Sequence, residues 1–293
     1  MSFTQTATDR DAAPLPGALR LGATHLVVAD SGHAAAWYQH ALGLLVHASE
    51  PRTVALGDGI EPVVVLHEDP QARPAGRYAG LYHYALLYPS REELAHAALR
   101  LAATRTSIQG ASDHGTHEAI YLADADGNGI ELAADRPRDT WPADLGYAAG
   151  PAPLDFDALL ATVAEEPPRA QVGEGVRTGH LHLHVGDVNE ALAFYRDVLG
   201  FEERAQLGTA AFVSAGGYHH HLGLNVWNGR GAGPPPEHTT GLRHWTVQLP
   251  TAADIAEVRA RVEATGHPAE PVAGGFLVRD PWQTALVFIT DTP

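Results

Sequence analysis

Residues 181–201, LHLHVGDVNEALAFYRDVLGF, decide the fold, because the chain carries a second version of them at residues 24–44, THLVVADSGHAAAWYQHALGL. The two align without a gap, Asp30 on Asp187 and Gly43 on Gly200, a constant offset of 157 residues. In the later copy, residues 180–185 alternate between faces in the manner of a strand. Asp187 then opens a helix along which Val188, Leu192, Tyr195 and Leu199 recur at three- and four-residue spacing, and Gly200 takes the left-handed cap. Residues 210–214 and 218–227 read as further strands separated by glycines.

A second repeat follows the first. Residues 80–104 (GLYHYALLYPSREELAHAALRLAAT) match 241–265 (GLRHWTVQLPTAADIAEVRARVEAT), with His83 on His244 and Pro89 on Pro250 at an offset of 161. Here the same order is read as a strand near His83, a helix over 90–103, and strands at 119–122 and 129–133. The chain is thus four related units, A, B, A′ and B′, each about fifty residues of βαβββ. The expected fold class is α+β. The expected organisation is a disordered tail at 1–19, a first domain at 20–137 (modules 20–70 and 80–137), a connection at 138–177 and a second domain at 178–293 (modules 178–230 and 241–291). The Pro- and Ala-rich connection carries one short helix, at 155–164.

Composition bounds the function. At 293 residues and 31.1 kDa, with 45% hydrophobic and 18% charged residues, the chain is of an ordinary globular kind. A net charge of −16 argues against a nucleic-acid partner, since a phosphate backbone needs a basic surface. No long apolar run calls for a membrane, and the first eighteen residues lack the pattern of a secretory signal, so the cytoplasm is the expected location. Absence of cysteine removes disulfides, thiolate metal sites and a cysteine nucleophile. Imidazole and carboxylate remain as ligands, and the eighteen histidines are in surplus.

A strand-helix-strands unit repeated four times, with His on first strands and Glu on a last strand, resembles the vicinal oxygen chelate superfamily. That superfamily takes in glyoxalase I, bleomycin-resistance proteins and type I extradiol dioxygenases. The likeness spans residues 20–290 and is nearest to two-domain ring-cleaving dioxygenases of the catechol 2,3-dioxygenase kind. It implies that two units pair into an incomplete barrel, with metal ligands from both first strands and one last strand. Mapped by motif, the first-strand positions are Ala23 in A, His83 in B, His180 in A′ and His244 in B′. The last-strand carboxylate is Glu131, ending DADGNGIE in B, which resembles D-P-x-G-x-x-I-E; in B′ the same position is Val287. Pairing A with B and A′ with B′ gives two broken sets, whereas pairing B with A′ collects His83, Glu131 and His180. The resemblance therefore implies a catalytic barrel from modules 2 and 3, a scaffold from modules 1 and 4, and Fe(II) as cofactor with Mn(II) as the alternative.

Further matches concern acid-base chemistry. The stretch 218–224, YHHHLGL, resembles the R-H-H-x-L-A-F strand whose second His is the acid-base residue, which places that role at His220. Strand alternation sets His219 and His221 on one face and His220 on the other, so which imidazole faces the site stays open. Tyr121 stands ten residues before Glu131, where the family has a substrate-binding tyrosine, and His114, in SDH at 112–114, resembles the T-N-D-H loop at a spacing altered by two. His182 and His184 read as cavity lining, and His25 and His244 as structural. The run from Asp124 to Asp135 nearly fits an EF-hand loop, but strand-like flanks favour a plain turn. The partners implied are a small aromatic diol and O2, with homo-oligomerisation left open. Two alternatives stand beside the dioxygenase: a glyoxalase-like isomerase or lyase, and a non-catalytic small-molecule binder of the bleomycin-resistance type. Residues 222–225 offer no fourth carboxylate, which favours an open site.

Overall fold

In the computed structural model, which describes residues 13–290, every unit folds in the order strand, helix, three strands. Within a unit the first strand lies parallel to the last: Thr24–Val28 beside Pro62–Glu68, Gly80–Tyr88 beside Gly129–Asp135, Arg177–His184 beside Leu222–Asn225, and Gly241–Leu249 beside Ala285–Thr290. A parallel pair needs a crossover, and the helix supplies it. Units then join through their first strands, which run antiparallel. Tyr84 pairs with Leu181 and His83 with His182 between B and A′, while Leu26 pairs with Leu242 and His25 with His244 between A and B′. The result is two nine-stranded sheets, an inner one from B and A′ and an outer one from A and B′. The fold is α+β, with four βαβββ modules in two incomplete barrels and modules 2 and 3 sharing a sheet. Each sheet takes one unit from 20–137 and one from 178–293.

The helices start where a side chain can satisfy their free N–H groups. Asp187 accepts from Asn189 N and Glu190 N, Ser90 from Glu93 N, and Thr251 forms a reciprocal capping box with Asp254. In A and A′ the helix begins as α (Ser31–Trp37, Val188–Leu192) and widens to π geometry (Tyr38–Leu42, Ala193–Val198) before Gly43 and Gly200 turn the chain at φ 70° and 92°. The four apolar positions read from spacing, Val188, Leu192, Tyr195 and Leu199, are all buried.

Of the expected tail, residues 1–12 lie outside the described residues. Residues 13–19 pack instead, because Leu15 and Leu19 are buried and Leu15 N donates to Gly200 O at 2.8 Å. In the connection, helical turns occupy Phe156–Leu160 and Ala161–Val163. Arg100 anchors this segment by donating to Arg169 O and Gln171 O while also reaching Leu42 O. Asp124 closes a tight turn: its Oδ1 accepts from Asp126 N and Asn128 N and its Oδ2 from Asn128 Nδ2 and the Tyr38 hydroxyl, so the carboxylate is taken up by hydrogen bonds rather than offered to calcium. The stretch 218–227 differs from expectation: only Leu222–Asn225 is strand, and the histidine triplet lies in the turn before it. No helix among the described residues is long and apolar enough to cross a membrane.

Candidate metal centre

The antiparallel seam between B and A′ brings the three predicted ligands together. On the B side Glu131 lies beside Ala85, two residues past His83 and therefore on the same face. On the A′ side a register shift between Thr178 and Leu181 accommodates His180 against the same stretch of the B strand. Glu131 is thus reached from one flank of Ala85 and His180 from the other. Glycine holds the neighbouring space open: a Cβ at Gly129 would stand 2.1 Å from Tyr82 O and 3.1 Å from His83 Cβ.

One ligand atom from each of His83, Glu131 and His180 lies within 4.8 Å of the others, and all three residues are buried. Glu131 Oε2 is 3.1 Å from His83 Nε2 and 3.2 Å from His180 Nε2. Two atoms each about 2.1 Å from a shared cation, at right angles, would stand about 3 Å apart, so the spacing suits a divalent ion. His83 Nε2 is buried without an aligned hydrogen bond, which leaves it a partner to gain. Burial alone would raise the Glu131 carboxyl; the imidazoles of His180, His117 and His83 outweigh it and hold the carboxyl well below the usual range. A carboxylate is the ionisation state a metal requires of this ligand.

His117 is the residue that sequence reading missed. Its Nε2 stands 3.1 Å from Glu131 Oε1, and its Nδ1 is hydrogen-bonded to Thr116 Oγ1 at 2.9 Å. The ring is stacked between His114 and His219, each 4.5 Å away and nearly parallel. A signal was available: on the strand His117–Ala123, His117 shares a face with Tyr121, and Tyr121 pairs directly with Glu131.

The three residues expected to work beside the metal line one cavity. His114 Nε2 and the Tyr121 hydroxyl share a 2.7 Å hydrogen bond. Burial, followed by His117, lowers His114 to about 4, and burial with Glu131 keeps the Tyr121 hydroxyl protonated. In the triplet, His219 contacts Asp135 at 3.2 Å and His221 Nδ1 accepts from Ala215 N, while His220 lines the cavity with its ring 4.3 Å from that of His180. Because the triplet precedes the strand, alternation does not govern it, and His219 Nδ1 and His220 Nδ1 approach to 3.0 Å. Burial, with His180 and His219 adding to it, pushes His220 well below the usual imidazole value. His182 also lines the cavity, whereas His184 bonds to Asn225 Oδ1.

Register also locates what is missing. The place in A′ equivalent to Glu131 is Gly223, which pairs with His182 two residues past His180. In the outer sheet, Val287 pairs with Thr246, two residues past His244. There His25 is spent on its neighbours, with Nδ1 2.9 Å from His67 Nε2 and its ring stacked on His244 at 3.9 Å.

A sequence profile of the Glyoxalase/Bleomycin resistance protein/Dioxygenase superfamily matches residues 20–132 and 177–291. Over 274 residues, 91% of this chain and 95% of the relative, the sequence is 39% identical to a protein named catechol-2,3-dioxygenase from Bacillus subtilis strain 168. Among solved structures, a putative dioxygenase from Bacillus subtilis superposes with a TM-score of 0.68 at 14% identity, covering 96% of this chain and 87% of that one. Glyoxalase I from Zea mays superposes with a TM-score of 0.58 at 16% identity, covering 94% and 93%. With both halves matched by one profile, the chain belongs to the Glyoxalase/Bleomycin resistance protein/Dioxygenase superfamily.

Proposed function

We propose that this chain is an extradiol ring-cleaving dioxygenase that acts on a catechol-like diol with Fe(II), or in its place Mn(II), held by His83, Glu131 and His180. The observation that carries the reading is Gly223. A glycine where the partner unit would supply a second carboxylate leaves three protein ligands, and a three-ligand site keeps positions open for both a chelating diol and O2. The relative named catechol-2,3-dioxygenase supports the same reaction. Glyoxalase-type isomerisation is disfavoured by the missing fourth ligand, and simple binding by three buried ligands that converge.

The metal, when bound, supplies a path for electrons between an aromatic diol and O2. The remaining work falls to side chains. His220 is neutral in its buried site and stands beside His180, where it can take a proton from a diol hydroxyl and return it as the ring opens. The Tyr121 hydroxyl, hydrogen-bonded to His114, is placed to donate to a substrate oxygen. His117 and Thr116 brace Glu131 Oε1, so that Oε2 stays directed at His83 and His180. Phe212, Leu145 and Tyr147 add apolar walls that keep water from the reacting atoms. Cleavage beside the diol gives a semialdehyde-type product.

Oxygen uptake by the iron-loaded protein across a catechol panel, together with the absorbance of the ring-opened product, tests the reading. Stoichiometric bound metal with no uptake on any diol sinks it.

A further inference from the structure

The cavity over the metal centre exceeds what a bare dihydroxybenzene fills. A cavity of about 150 Å³ holds a benzene ring, and this one measures ≈ 320 Å³. Its lining is of two kinds. His83, His117, Tyr121, Glu131 and His220 bring polar groups, whereas Tyr82, Leu207 and Trp227 bring exposed apolar surface, and the Tyr82 ring reaches to 4.9 Å from that of His83. These three are 40%, 49% and 51% exposed, and they are three of only eight large apolar side chains so exposed among the described residues. Such a concentration at one cavity mouth marks a binding surface.

The apolar part of the lining is held in place. Trp227 Nε1 donates to Thr209 Oγ1 at 3.3 Å and its backbone N to Asn225 Oδ1 at 3.0 Å. Its indole meets the Tyr82 ring edge-on, with centroids 5.4 Å apart at 89°, and Tyr82 in turn meets His182 edge-on at 5.3 Å. Fixed aromatic faces bind apolar groups at little entropic cost. Among the lining residues there is no arginine, and the sequence contains no lysine; among the described residues, the cations near the cavity are confined to its imidazoles and to Arg204, whose charge acts on Tyr147.

We propose that Tyr82, Leu207 and Trp227 form a subsite for a neutral apolar substituent, alkyl or aryl, carried on the diol ring away from its two hydroxyls. The substrate class is then substituted catechols rather than catechol itself or a carboxylated diol. This rests on the ring-cleavage reading for the identity of the diol, and adds the group attached to it.

The test compares three probes on metal-loaded protein: catechol, a butylcatechol with its chain para to one hydroxyl, and dihydroxyphenylacetate. Anaerobic calorimetry reads binding, and oxygen uptake reads turnover. Butylcatechol is expected to bind more than about tenfold tighter than catechol, at about fourfold per fully buried methylene, with dihydroxyphenylacetate weakest. In Trp227→Ala and Leu207→Ala the ratio of butylcatechol to catechol affinity falls toward one; taking the ratio within each protein cancels any general loss. Equal affinity for catechol and butylcatechol, preference for dihydroxyphenylacetate, or a ratio unchanged in both variants overturns the subsite. Selective binding without oxygen uptake supports the subsite and sinks ring cleavage, whereas uptake without selectivity does the reverse.

Discussion

Tyr195 donates its hydroxyl to Asp280 Oδ2 at 3.0 Å, joining a helix of the inner sheet to a turn of the outer one. Its counterpart, 157 residues earlier, is Tyr38, which donates to Asp124 Oδ2 at 2.8 Å and joins the sheets in the opposite sense. The units that share a sheet are therefore not the ones tied by these buried bonds. B and A′ share strands, while A holds B, and A′ holds B′, through a tyrosine and an aspartate.

The Asp280 tie should leave a mark on stability. Burial pushes this carboxyl up to about 6, against the acceptance of hydrogen bonds from Thr284 N, Tyr195 and Trp282 N, which act to lower it. Since the native state holds the proton more tightly than the unfolded chain, the contribution is present below the unfolded pKa of 3.8 and is lost as pH rises through about 6. Two units correspond to about 3 kcal/mol. Asp280→Asn keeps an acceptor for the two backbone N–H groups, so its Tm is expected to vary less than wild type between pH 4 and 7 and to match or exceed it at pH 7. A pH profile of Tm equally steep in both proteins would refute this.

Ala85 separates Glu131 from the His180 bulge, so its small side chain is a condition of convergence. Ala85→Leu inserts methylenes among the three proposed ligands without altering any of them. The expected outcome is a folded protein, destabilised by about 1–3 kcal/mol, that has lost stoichiometric metal. Metal analysis beside far-UV circular dichroism checks it; full metal loading would show that Ala85 does not face the centre.

Removing the brace on Glu131 should loosen the metal without abolishing the site. His117→Ala is expected to lower metal affinity by about 10- to 100-fold, read by competition with a chelator. His117→Gln, which restores a donor to Oε1, should recover part of the loss. Equal affinity in all three proteins would reduce His117 to packing.

Chelation offers a check on Glu131 that needs no substrate. At a free metal concentration of 100 times Kd, binding adds about 2.7 kcal/mol, so a chelator should lower the Tm of wild type by several degrees. Glu131→Ala should be indifferent to the same treatment. A chelator-induced fall in Tm of equal size in both would mean that the metal sits elsewhere.

Much of this arrangement was legible because duplication provides its own control. Ala23 and Val287 stand where His180 and Glu131 stand, so the chain records which pairing is complete, and the sheet order follows it. Strand alternation carried the reading only while the chain was strand. It failed at His219, His220 and His221, which occupy a turn whose path depends on contacts to Asp135 and Ala215 that are distant in sequence or local to the turn. His117 was hidden among eighteen histidines, since its significance depends on the register of Tyr121 against Glu131 rather than on any motif. Residues 13–19 pack although their composition reads as a tail, because Leu15 and Leu19 bury against groups that composition does not reveal.

The order of the units also sets an order of assembly. B and A′ are consecutive, so all strands of the inner sheet's two units have been synthesised once Asn225 has been made. The outer sheet must wait for Ala285–Thr290 and must then close a loop back to Thr24–Val28, the slower kind of contact to form. A nascent chain could thus shape its ligand set before its own ends have met, with the outer sheet acting as a clasp fastened last.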